Sequence, residues 1–412
     1  MEGDGTSVIT AEIGFRDSGL DIQTLWVRMP DGTSMQICKS FATETGTFIE
    51  TLAMPTDQIG VFSIEIQLVD QAGDSSVGHT ACYSVSNWTS RVSGLPFILN
   101  DVIWDGTVFI AVGDEGGIFT SADGLDWIAR ESGAEANLHA VAAYGSDILA
   151  VGENILLQST DHGETWTLKN DPNKAWRINN QFFSVSLSAV AINSSRVVVS
   201  GTGICCEPII LIFEDRGDTW QVINVSPGDG TVSLRDRIDR EGLFVAVADI
   251  LHITDDAGWV FVSSDGTQWS DIFLDPESGF RTIVDDGSRF TVAGSNGIVI
   301  TSIDGINWTE MQTPFEGVDY LSGAWNGTKL MLAGSYTCTP TEQAAEGFNF
   351  DCSAPQPGLP LGISSADGGS TWDIFNIDGE FRSLGMVYGN GRFVSVGVSE
   401  TGVGEGAIYS AD

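Results

Sequence analysis

One short motif recurs along this chain and limits its folding choices more than any other feature. Serine, aspartate, glycine, threonine and tryptophan stand in fixed order at Ser159, Asp161, Gly163, Thr165 and Trp166, and again at Ser365, Asp367, Gly369, Thr371 and Trp372. A form shorter by one residue runs through Ser121, Asp123, Gly124 and Trp127, through Ser263, Asp265, Gly266 and Trp269, and through Ser302, Asp304, Gly305 and Trp308. A further copy, Asp215, Gly217, Thr219 and Trp220, has Phe213 in the serine position. A unit repeated in this way cannot bury its apolar face alone, so neighbouring copies must pack on one another. Within the motif, aspartate can accept N–H groups of its own turn, glycine supplies positive φ and tryptophan packs back on the strands. The motif is read as structural, with no catalytic role.

Each copy follows short apolar runs broken by tight turns. Before the first copy these are Leu99–Trp104, the turn at Asp105, Gly106 and Thr107, Val108–Val112 and Gly117–Thr120. Three strands before the motif and one after it make a four-stranded antiparallel unit.

These residues resemble the Asp-box (BNR) repeat of sialidases, sortilin-type receptors, some glycoside hydrolases and the photosystem II assembly factors. The resemblance implies an all-β fold, a β-propeller in which each box is the turn between the outer strands of a blade. It places Asp123, Asp161, Asp215, Asp265, Asp304 and Asp367 in such turns, and Asp412 in an incomplete seventh box that begins at Ser410. The segment 87–94 reads like the strand after the first box, 126–133, so it is expected to complete the blade whose inner strands lie in 381–412. The expectation is a seven-bladed propeller over 87–412, closed by pairing 87–94 with the C-terminal blade; a six-bladed ring is the alternative.

Residues 1–86 carry no box. They alternate apolar and polar at Val8–Phe15, Thr24–Met29, Thr47–Met54, Val61–Val69 and Thr80–Val85, a spacing that suits a small immunoglobulin-like (PKD-like) β-sandwich.

The formal charge of −38 arises from 56 acidic against 18 basic residues, a field that repels phosphate backbones and anionic membranes. Nucleic acid is excluded as a partner, and so is membrane insertion, since no apolar stretch approaches a span. The acidity suits a soluble extracellular, periplasmic or cell-surface protein. No cofactor is expected; Ca²⁺ on surface carboxylates is an alternative, although no EF-hand loop is present. Of the six cysteines, Cys38 and Cys82 lie in the N-terminal segment and Cys205, Cys206, Cys338 and Cys352 in the remainder. Without exchange between domains, Cys38 pairs with Cys82. A Cys338–Cys352 bridge across a short loop, worth on the order of 3 kcal/mol, leaves Cys205 and Cys206 as an adjacent pair. Free thiols in a reducing compartment are the alternative.

Sorting connections by face gives one plain side, with short turns such as Asp105–Gly106 and Asn326–Gly327, and one elaborated side. The long connections are 169–183, 201–208, 224–231, 248–259 and 334–361. They carry Trp176, Arg177, Trp259 and Tyr336, and long insertions on a rigid scaffold are where binding surfaces are built. Innermost strands begin apolar-Arg at Arg235, Arg281 and Arg382, with His139 in the like position of another blade. Converging arginines would grip a carboxylate or sulfate, similar to the arginine cluster of sialidases, where Tyr320 is the best-placed nucleophile; ion pairing with Asp236 and Asp285 is the alternative. The sialidase Phe-Arg-Ile-Pro signature is missing, and there is no Gly-x-Ser-x-Gly, His-Glu-x-x-His or P-loop.

The expectation for function is therefore a non-enzymatic binding or scaffolding protein that recognises a glycan or an extracellular protein. A sialidase-like hydrolase is one alternative, and a surface-layer or filament subunit assembling through the N-terminal domain is another.

Overall fold

The computed structural model describes residues 6–16, 22–28, 34–38, 45–55, 60–70, 79–85, 88–169, 177–178, 181–182, 185–194, 196–202, 208–213, 220–224, 231–240, 242–251, 256–275, 278–314, 317–336, 339–344, 347–351, 360–375, 377, 381–399 and 405–412. The chain divides into two compact units, one of residues 1–87 with 340–351 and 374–379, the other of 88–339 with 352–373 and 380–412.

In the first unit, Thr6–Arg16 pairs antiparallel with Thr45–Pro55 along its whole length. Ser34–Cys38, Ile22–Arg28, Gly60–Asp70 and His79–Val85 form a four-stranded sheet in that order. The register overturns the expected Cys38–Cys82 bridge. These residues lie on opposite edge strands, about 14 Å apart across the sheet at the usual strand spacing. Cys38 is in register with Thr24 and through it with Val69, whereas Cys82 faces Ser63, which adds about 20 Å along the strands. A disulfide needs Cα atoms within about 7 Å. Counting cysteines by domain constrains partners only if the fold brings them together, and this sheet does not. The other four cysteines lie outside the described residues.

The second unit is a closed row of four-stranded antiparallel sheets. Five are each drawn from one stretch of chain, spanning 99–130, 138–168, 186–224, 231–275 and 280–310, and a sixth combines strands within 318–336 and 360–375. The remaining sheet is composite: Phe381–Gly389, Arg392–Ser399 and Glu405–Ala411 take Thr89–Leu95 as their fourth strand. That strand joins through Gly406↔Leu95, Ile408↔Val92, Tyr409↔Ser90 and Ser410↔Thr89, and Arg91 Nε donates to Ser410 Oγ at 2.8 Å. The first strands of the sheets touch in sequence order, and Phe381–Gly389 returns to touch Leu99–Trp104, closing the row.

Packing between sheets explains the apolar runs. A second strand such as Phe109–Gly113 or Phe290–Gly294 is buried along its entire length, because a neighbouring sheet covers each face. One cluster joins Ile110, Val112 and Ile118 of one sheet to Leu138, Ile148 and Leu157 of the next. Fourth strands lie at the rim, where Ile128 is exposed. Among the described residues no helix is long and apolar enough to cross a membrane.

The recurring turns sit between third and fourth strands and share one hydrogen-bond scheme. Ser159 Oγ donates to Asp161 Oδ1 at 2.7 Å and accepts from Gly163 N at 2.9 Å, while Asp161 accepts from Thr165 N and Trp166 Nε1 donates to Gly163 O at 3.0 Å. The serine and aspartate bonds recur in the turns at Asp123, Asp265, Asp304 and Asp367, and the tryptophan bond recurs at Trp269 and Trp308, while Trp372 Nε1 donates to Gln312 O instead. Bonds to threonine, asparagine and backbone N–H groups hold the carboxyls of all five below the ordinary aspartate value, those of Asp161 and Asp367 at about 2. The exposed carboxylate of Asp412 pairs with Arg392 at 2.5 Å. Asp215 lies outside the described residues.

These turns also reach the preceding sheet. Each contact runs from the hairpin between first and second strands of one sheet to the serine–aspartate turn of the next. Asp105 accepts from His162, Arg196 donates to Asp265 O, Arg289 donates to Gly368 O at 3.0 Å and Asn390 donates to Ala122 O at 3.1 Å.

Candidate functional site

Every first strand carries a β-bulge at the same height. The register shifts fall between Leu99 and Asp101, Leu138 and Ala140, Leu187 and Ala189, Leu234 and Asp236, Phe280 and Thr282, Tyr320 and Ser322, and Ser383 and Gly385. A bulge places two residues opposite one and re-aims the extra side chain. Asn100, His139, Ser188, Arg281, Leu321 and Leu384 occupy that position and all line one central cavity of about 530 Å³. Below them the wall is small and apolar, with Ala140, Ala142, Ala189 and Val190 among its residues, and holds the carboxylates of Asp101, Asp236 and Asp285.

Glycine at the end of the second strand lets this geometry form. At Gly152 an added Cβ would collide with the Asn137 carbonyl just before the bulge. Gly113, Gly201, Gly294, Gly334 and Gly397 occupy the same place, and the fourth sheet has Ala248 there instead. This second repeat was visible in the sequence as a small residue closing each Val-rich run, but no reading of turns or boxes draws attention to it.

The bulge residues also brace neighbouring first strands. Asn100 Nδ2 donates to Leu138 O at 2.9 Å, and His139 Nδ1 lies 3.0 Å from Leu187 O, the equivalent carbonyl one sheet on. A carbonyl only accepts, so Nδ1 carries the hydrogen and Nε2 is the ring nitrogen left for a ligand. Ser322 and Ser383 bridge another gap at 2.6 Å.

The structure separates the residues singled out from the sequence. Arg281 and His139 share the bulge position and the cavity. Arg382 does not: the bulge of its strand is at Leu384, two residues later, so the apolar-Arg pattern is a coincidence of spacing. Tyr320 precedes its bulge and is fully buried in the core, where burial raises its hydroxyl above the ordinary tyrosine range against an opposing bond from Thr313. It is not among the residues lining the channel cavity and is not placed there as a nucleophile. Trp259 is not in a loop. The expected loop 248–259 is mostly hairpin, with Ala248 opposite Trp259 and Leu251 opposite Asp256, and the Trp259 ring stacks on Phe261 at 6.2 Å. Trp176 lies outside the described residues, as do the side chains of Arg177, Arg235 and Tyr336. Sequence reasoning missed Asn100, Ser188, Leu321 and Leu384, since a bulge has no residue signature of its own.

No family model matches the sequence, and no curated protein does. Solved structures match the fold. One, described as YCF48 bound to D1 peptide, is 18% identical over 79% of this chain and 98% of its own, with a TM-score of 0.54. The β-propeller domain of Cps50 (Swd1) from Myceliophteria thermophila is 9% identical over 77% of this chain and 98% of its own, with a TM-score of 0.50. The chain folds as a β-propeller. The four-stranded sheets of its second unit are blades, the cavity is the propeller's central channel, and the bulges ring one end of that channel. At these identities the likeness extends to the fold alone.

Proposed function

We propose that this propeller is a non-enzymatic binding protein that holds a protein partner at the bulge-lined end of its channel. The observation that carries the reading is the alignment of the bulges, which turns six described side chains of different chemistry toward one opening. Asn100, His139, Ser188 and Arg281 make a polar arc, and Leu321 and Leu384, on adjacent blades, an apolar one. Such a mixed rim suits a peptide segment, which offers main-chain polar groups beside apolar side chains. A propeller of similar fold is known with a peptide bound, the YCF48 structure with its D1 peptide.

The finer reading is a seven-bladed Asp-box propeller in which the composite sheet is the last blade, preceded by an immunoglobulin-like module. It rests on the repeated serine–aspartate turns and on the closed row of first strands. The acidic composition supports an extracellular, periplasmic or cell-surface location. A sialidase-like site has less support, because Tyr320 is in the core and Arg382 is off the bulge register.

The test is selection from a displayed peptide library with the full chain, followed by binding to wild type and to an Arg281→Ala/Leu384→Asp variant. Loss of about tenfold or more in affinity supports the channel end as the site. Unchanged binding moves the site elsewhere, and binding only to acidic oligosaccharides favours the glycan reading.

A further inference from the structure

The glycine of each described serine–aspartate turn is a socket for the blade before it. An added Cβ would lie 3.1 Å from Thr120 Cγ2 at Gly163, 3.2 Å from Val198 Cγ2 at Gly266, 3.3 Å from Val245 Cγ2 at Gly305 and 3.1 Å from Val394 Cγ2 at Gly124. Each of those side chains belongs to the preceding blade, and none of them carries a sulfur. The socket at Gly369 differs. It is filled by Met311, whose Cε and Sδ would both collide with an added Cβ, and Trp372 Cζ2 lies 3.2 Å from the same point. Thioether and indole thus meet over the glycine, a pairing that a polarisable sulfur favours.

The tryptophan bond differs at the same turn. Trp166, Trp269 and Trp308 donate to the glycine of their own turn, whereas Trp372 Nε1 donates at 3.0 Å to the carbonyl of Gln312, the residue after Met311. Met311 N in turn donates to Val299 O at 2.8 Å and so fixes the segment on the blade at 280–310. Met311 and Gln312 therefore make two ties from that blade to the turn of the next. Gly369 is buried beneath them, while Met311 and Trp372 are half-buried. The other methionines of the second unit, Met331 and Met386, are each only 7% exposed.

We propose that Met311 is an oxidation site for hydrogen peroxide, and that its sulfoxide unseats this one joint between blades. The sulfur lone pair takes one peroxide oxygen: the S–O bond forms as the O–O bond breaks, and the sulfur gives up two electrons. The leaving hydroxide takes the proton of the transferred hydroxyl and departs as water. The product replaces an apolar thioether with a polar, bulkier group. Its oxygen would lose hydration over a buried glycine and an indole edge, so the side chain swings outward. Trp372 and Gln312 then lose the packing that holds their bond. Methionine sulfoxide is reducible, so the joint can be reset.

The experiment treats the full chain with limiting hydrogen peroxide, maps sulfoxides by peptide mass spectrometry and follows hydrogen exchange in wild type, Met311→Leu and Met311→Gln. Leucine keeps nearly the same volume without the sulfur, and glutamine puts a polar end into the socket. Met311 is expected to oxidise about tenfold or more faster than Met331 and Met386. Exchange across 309–314 and 365–373 should then quicken about tenfold in wild type, while the turn at 159–166 keeps its protection. Met311→Leu should stay protected with and without peroxide, and Met311→Gln should show the quickened exchange with none added. Oxidation of Met311 no faster than that of Met331 overturns the proposal. So does a sulfoxide at Met311 that leaves 365–373 protected, or peroxide-induced quickening there that persists in Met311→Leu.

Discussion

His162 Nδ1 donates to Asp105 Oδ2 at 2.7 Å, tying the serine–aspartate turn of one blade to the inner hairpin of the blade before it. The Asp105 side chain is fully buried, and its other oxygen accepts from Thr107 N at 2.7 Å and Val108 N at 2.8 Å. One carboxylate thus orders its own hairpin and anchors its neighbour.

Asp105→Ala is expected to destabilise the propeller by about 2–3 kcal/mol, since it leaves two backbone donors and an imidazole without their acceptor. His162→Ala removes one bond at a half-exposed group and should cost under about 1 kcal/mol. Urea denaturation of both variants checks this; equal losses would mean that the contact between blades, and not the hairpin, dominates.

The turn aspartates predict an acid limit to stability. Their folded carboxyls lie below the ordinary value, those of Asp161 and Asp367 at about 2. The stability they contribute is present above about pH 4 and is lost as pH falls toward about 2. Melting temperature should drop through that window, and the drop should be shallower for Asp161→Asn, whose wild-type counterpart must be protonated there.

Closure of the ring depends on the segment that enters it from upstream. Trp88 is buried and packs on Phe393 at 6.4 Å, beside the strand Thr89–Leu95 that completes the composite blade. Trp88→Ala should cost about 3–5 kcal/mol. Hydrogen exchange should quicken first in Glu405–Ala411, the strand that pairs with it, while the blade at 280–310 keeps its protection; uniform quickening would show that the ring opens only as a whole.

What the amino-acid sequence determined by itself is the repeating unit. The order of Ser159, Asp161, Gly163 and Trp166 specifies a turn whose bonds are nearly all local, and apolar runs such as Phe109–Gly113 specify strands covered on both faces, so both were legible without coordinates. The hairpin at 248–259 was misread because its strands continue past the usual blade length with no residue marking the extension. The site was legible only in part. Arg281 and His139 were found, but Arg382 was grouped with them by spacing and Tyr320 through the likeness to sialidases, and a bulge shifts register without changing composition. Whether a side chain faces the channel or the core turns on one extra residue opposite the next strand, and whether Cys38 can meet Cys82 turns on two intervening strands. Those are relations between distant segments, set by backbone pairing, so the tertiary structure alone decides them.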